Sequence, residues 1–190
     1  MKKEIKIAVF LLATLIVQAS VFASPSYNSI LKKWTRHESV YVWDNLEARV
    51  IWNVTYLSEE YREASRKKLG RLYEWSTREH QLHVAEDQKD LGEYDVFFVG
   101  VYAGSSQYSE IGKDTGRWRI VLDTGNGLEV EPAQFSRVTI TEVERALYPY
   151  LDRWSQAYLL KFPKSVEAGK SFRLRMTGIP ARSELIWKVK

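Results

Sequence analysis

Two pairs of arginines are the residues whose type and spacing speak most directly of chemistry. Arg117 and Arg119, and Arg173 and Arg175, each stand two apart in segments that alternate polar and apolar residues. Side chains two apart on a strand point the same way, so each pair projects from one face. If the two strands are neighbours, four guanidiniums form a patch able to grip phosphates or carboxylates bidentately. Pairing with the chain's own acidic segment is the plainer alternative. Residues 79–131 carry eleven acidic and four basic side chains, whereas 137–190 carry eleven basic and five acidic.

Other constellations offer less. His80 and His83 stand three apart near Glu79, Glu86 and Asp87. On a continued helix they could share a face and ligate a metal. Without the Glu that follows the first His of a zincin helix, they are read as hydrophilic loop histidines, and no metal is assigned. Asp114, Asp123, Glu129 and Glu131 lie on neighbouring predicted strands or loops. They could supply the two carboxylates of a hydrolase, whose separation sequence does not give. There is no Gly-x-Ser-x-Gly elbow. Ser29 to Lys32 and Ser65 to Lys68 match Ser-x-x-Lys without its companion motifs. Gly104 to Lys113 has the wrong spacing for a phosphate loop, and Asp114 stands at its hydroxyl position. Catalytic residues are left unassigned and no cofactor is expected.

The first 23 residues read as an address. Lys2, Lys3 and Lys6 precede the apolar run Ile7 to Val17, and Val21-Phe22-Ala23 leads to Ser24. This is the pattern of a secretory signal cleaved between Ala23 and Ser24. The apolar run is too short to span a bilayer, which takes about 20 helical residues. No transmembrane segment is therefore expected after cleavage. The chain has no cysteine, so disulfides, thiol chemistry and N-terminal lipidation are excluded. A periplasmic or secreted bacterial protein follows as the expected localisation. The formal charge of +4 includes three Lys and one Glu of the signal, leaving +2 for residues 24–190. So small a charge, on an exported chain, argues against nucleic acid.

The elements that must position these groups are legible in the periodicity. Residues 24–190 read as a single β-rich domain, with no linker or repeat. A short helix is expected over 26–36, and a long strand from Leu46 to Tyr56. An amphipathic helix over about 58–76 starts at Ser58 and carries Tyr61, Ala64, Leu72 and Trp75 on its apolar stripe. The apolar run Tyr94 to Tyr102 predicts a central strand covered on both faces, with that helix as one cover. A strand over 117–122 precedes the turn Asp123 to Gly127. Short strands near 128–131 and 135–140 and a helical turn over 141–148 come next. Period-two segments at 154–162, 172–177 and 185–189 predict a C-terminal antiparallel meander. The fold class is mainly β (α+β): an antiparallel sandwich-like or meander sheet with the 58–76 helix packed on it. Trp52, Trp118, Trp154 and Trp187 fall in the apolar register and are assigned to the core, whereas Trp43 is expected at the surface.

The loop Ala103 to Gly116, which includes Tyr108, is long for a hairpin connection and rich in Ser, Gly and Tyr. With the arginine pairs it is the expected binding surface. The leading expectation is a non-enzymatic binding or interaction module of the cell envelope. Its partners would be anionic lipid, acidic glycan or an envelope protein. The alternatives are an envelope hydrolase, through carboxylates or His80/His83, and an assembly component pairing through a β-edge.

Overall fold

The alternating segments become strands because each has one apolar face to bury. In a computed structural model the described residues are 25–42, 47–104, 108, 110–111, 117–167, 169–179 and 181–188. Nine strands are described: β1 (Thr35–Val42), β2 (Glu47–Tyr56), β3 (Tyr94–Ala103), β4 (Trp118–Asp123), β5 (Glu129–Val130), β6 (Gln134–Val138), β7 (Gln156–Pro163), β8 (Phe172–Gly178) and β9 (Arg182–Trp187). They form two antiparallel sheets, ordered β1-β2-β3-β7-β6 and β5-β4-β8-β9. Four helices are described with them: α1 (Tyr27–Trp34), α2 (Glu59–Leu72), α3 (Thr77–Glu93) and α4 (Glu142–Leu147). The protein is thus mainly β with a few helices.

One face of the larger sheet presents Trp52, Val54, Phe97, Val99, Leu160 and Phe162, all buried. Against them lie Trp118, Leu122, Phe172, Leu174 and Trp187 of the smaller sheet, in the same core cluster. Trp52 meets Trp118 edge-on at 4.9 Å between ring centres, and Phe97 meets Trp187 at 5.4 Å. Burying side chains of this size contributes about 1.5–3 kcal/mol each, which makes this shared interior the main source of stability.

The opposite face of the larger sheet carries Phe98 and Ala157, covered by Ile30 and Leu31 of α1, Tyr61 and Ala64 of α2, and Leu147 and Tyr148 at the end of α4. Phe98 and Tyr148 stack at 3.6 Å. The central strand β3 is therefore buried on both faces, as its continuous apolar sequence predicts, and three helices share the cover. Leu151 approaches β3 so closely that a Cβ on Gly100 would stand 2.8 Å from its Cδ2. Gly125 and Gly127 adopt φ of 80° and 85° in the expected turn after β4.

The lateral edges are occupied too. Residues 131–133 link β5 of one sheet to β6 of the other. On the far side β1 faces β9: Arg36 Nε donates to the Ile186 carbonyl at 2.6 Å, and Glu38 Oε2 accepts the Glu184 amide at 3.0 Å.

Several expectations are corrected. The helix begins after Ser58 as predicted but ends at Leu72 rather than 76. Glu74 takes φ 49°, and Ser76 with Glu79 forms a capping box that starts a new helix. That second helix, α3, holds His80 and His83, and it went unpredicted because it buries no residue and so has no apolar stripe. The segment from Thr35, expected to finish a helix, turns into β1. The C-terminal meander is split: β7 lies between β3 and β6, whereas β8 and β9 join β4. Trp154 is not core but 64% exposed. Its amide is caught by Asp152 Oδ1 at 2.8 Å in a turn that ends before β7 begins. Trp43 lies outside the described residues.

Candidate functional site

The fold does bring the arginine pairs together, because β4 and β8 are neighbours. Val121 is opposite Arg175, Asp123 opposite Arg173, and Arg119 opposite Thr177. Each guanidinium meets a carboxylate. Arg117 lies 3.2 Å from Glu110. Arg119 lies 3.5 Å from Glu129 and 3.7 Å from Glu131. Arg173 lies 3.4 Å from Asp123 and 3.0 Å from Glu184, and Arg175 pairs with Glu129. Five carboxylates surround four guanidiniums, so the local positive potential is cancelled. Of the adjoining loop, Tyr108 is half-buried, and its carbonyl accepts the Trp118 indole N–H at 2.8 Å. Ile111 is buried in the core. Residues 105–107, 109 and 112–116, with Asp114, lie outside the described residues, as do Ala23 and Ser24.

The titratable clusters are engaged in structure. His83 stacks on Trp75 at 4.1 Å, and its Nδ1 is 3.1 Å from Glu86. His80 instead lines a shallow depression with Arg66, Arg71 and Trp75. Among the described residues no group of three or more His, Asp or Glu is placed to hold a metal ion. Asp87 and Asp90 are clamped by cations. The Arg62 guanidinium lies 2.9 Å from Asp87 and 3.0 Å from Asp90, Lys161 reaches Asp90 at 2.5 Å, and Arg66 pairs with Asp87. Burial by itself would push the Asp90 carboxyl up; Lys161 and Arg62 together hold it below its usual value. An acid held ionised in this way is a poor proton donor.

A groove lies elsewhere, between α1 and α2. It has a volume of about 740 Å³, and its walls combine Tyr27, Ile30, Ala64 and Leu72 with Lys67, Lys68 and Arg71. Glu60 and Glu63 also line it, but each is already taken: Glu60 by Lys33 and the Trp34 indole, Glu63 by Lys67. Lys68 donates to the Ala146 carbonyl at 2.5 Å and sits 4.1 Å above the Tyr27 ring. Partial burial pushes its pKa down. Neither Lys68 nor Arg71 has a carboxylate within 4.0 Å among the described residues. Beneath the groove the Tyr27 hydroxyl donates to the Leu147 carbonyl at 2.6 Å and lies 3.1 Å from that of Tyr61.

In sequence these cations read as partners of a helix C-terminus. A cue was present in Arg66-Lys67-Lys68 followed by Arg71, a density of positive charge beyond what a helix end recruits. What was hidden is that α1 returns against α2 to make a wall.

The architecture is thus mainly β, two antiparallel sheets with helices covering one face of the larger. Among the described residues no helix is long and apolar enough to cross a membrane. Comparison with protein-family models gives no match, and comparison with the curated proteins gives none either.

Proposed function

We propose that this is an exported, non-enzymatic envelope protein that binds an anionic amphiphile in the groove between α1 and α2. The observation that carries the reading is the lining of that groove. Lys68 and Arg71 lack carboxylate partners there and stand beside Tyr27, Ile30 and Ala64. A site of this kind suits a phosphate or carboxylate attached to an apolar body. Anionic lipid fits both halves of that description, whereas acidic glycan fits only the charge. The finer description of the fold as a sandwich closed along its sides belongs to the same reading, because closed edges leave the helical layer as the surface available for recognition.

The test is calorimetric titration of the purified protein with short-chain phosphatidylglycerol, phosphatidylcholine and an oligouronate. Binding of phosphatidylglycerol alone is expected, weakened about tenfold or more in K68Q/R71Q. A second reading keeps the four arginines as the binding face. Loss of binding in R117Q/R119Q/R173Q/R175Q, with K68Q/R71Q unaffected, would favour it. Absence of binding to all three ligands would overturn both and leave a protein partner as the ligand.

A further inference from the structure

Around the turn between α2 and α3 the chain exposes both large apolar side chains and cations without carboxylate partners. Leu72, Tyr73 and Leu82 flank this turn and are 60%, 57% and 57% exposed. Leu82 is no spare piece of the core, because α3 buries no residue at all. Arg71 and Arg78 are exposed beside them, with no carboxylate within 4.0 Å among the described residues. Residues 66–83 hold five basic and two acidic side chains; Arg66 and Lys67 are taken by Asp87 and Glu63, which leaves Lys68, Arg71 and Arg78 without a carboxylate partner among the described residues. Of the two acids, Glu74 is exposed, and Glu79 is turned back on Ser76, accepting from its amide and hydroxyl at 2.7 Å each.

We infer that this hairpin end docks the protein on an anionic bilayer surface. Exposed Leu72, Tyr73 and Leu82 flanked in the chain by exposed Arg71 and Arg78 are complementary to such a surface. Leu and Tyr side chains lodge at headgroup depth while guanidiniums meet phosphates, and neither contribution alone gives firm attachment. Apolar exposure of this kind, rimmed by charge, marks an interaction site. The partner is set by the sign of the unpaired cations beside these exposed apolar side chains. Docking shares with the proposed function the expectation of anionic envelope material, and Arg71 and Leu72 line both features. Tyr73, Arg78 and Leu82 belong to the hairpin end and not to the groove, so the two can be separated.

The experiment is sedimentation of the purified protein with vesicles of phosphatidylcholine, with and without phosphatidylglycerol. Wild type is expected to bind only the anionic vesicles and to be released by high salt. R78Q is expected to weaken binding about fivefold, and Y73S/L82S about tenfold or more. All three positions are exposed, and circular dichroism is expected to report an unchanged fold. K68Q separates the two proposals. If it loses soluble short-chain lipid but keeps vesicle binding, docking stands apart from the groove. Three results would overturn docking: no binding to anionic vesicles, undiminished binding by both hairpin variants, or a concentration-dependent dimer that Y73S/L82S abolishes. The last would assign the face to a second copy of the chain.

Discussion

The Tyr56 hydroxyl donates to Oδ1 of Asp95 at 2.9 Å, joining β2 to β3 through a carboxylate that has no solvent exposure. Lys164 shares the same oxygen at 2.9 Å, while the amides of Ser165 and Val166 donate to Oδ2 at 2.7 Å each. A single buried side chain therefore anchors the segment by which the chain leaves β7 for the second sheet. Asp95→Ala would leave several of these donors unmatched and is expected to lower the unfolding free energy by about 3 kcal/mol. Tyr56→Phe removes one donor and is expected to cost about 1 kcal/mol. Urea denaturation of the two variants checks the order, and equal losses would contradict this role for Asp95.

The layer between the helices and the sheet is rich in buried phenols. Burial pushes the Tyr27 hydroxyl up to about 12 and raises those of Tyr61, Tyr148 and Tyr150 as well, and it raises Tyr56 in the core between the two sheets. Unfolded, each would ionise near pH 10. Above that value the unfolded chain has lost protons that the folded one keeps, so stability falls as pH rises. It is fully present below about pH 10 and declines by up to about 1.4 kcal/mol per pH unit for each fully protected tyrosine. Tyrosinate absorbance is expected to appear together with loss of the circular dichroism signal. Gradual ionisation in a protein that stays folded would show the phenols to be accessible.

With no buried residue of its own, α3 is held largely by the grip of Arg62 and Lys161 on Asp87 and Asp90. The Asp90 carboxyl is held below its usual value, so its contribution is present above about pH 4 and is lost as pH falls through the lower folded-state value. Hydrogen exchange, corrected for intrinsic rates, is expected to show 77–93 opening in acid before the sheets. Asp90→Asn is expected to open the helix at neutral pH and to flatten that acid dependence. Protection of α3 that matches the sheets down to global unfolding would refute this account.

Export makes its own prediction. Protein recovered from a bacterial envelope fraction is expected to begin at Ser24, as read by N-terminal sequencing. Ala23→Phe is expected to leave the precursor uncleaved, because the peptidase pocket takes a small side chain there. A wild-type chain still beginning at Met1 would contradict the signal assignment.

Period-two patterning was enough to place β2, β4, β8 and β9, and the unbroken apolar run of β3 to show its burial on both faces. Ser58 determined where α2 starts, and Gly125 and Gly127 the turn after β4. These are properties of neighbouring residues, set by backbone geometry and by the side of each element that must leave water. The Ser76–Glu79 capping box was equally local and marked the start of α3. Which strand pairs with which emerges only when the chain folds. β7 and β8 have similar patterns, yet one joins β3 and the other β4, because pairing depends on burial between residues far apart in the chain. The same long-range placement set Glu110, Glu129 and Glu131 against the arginines and α1 against the cations of α2. Charge in a sequence counts side chains; only folding decides which of them are neutralised by a neighbour.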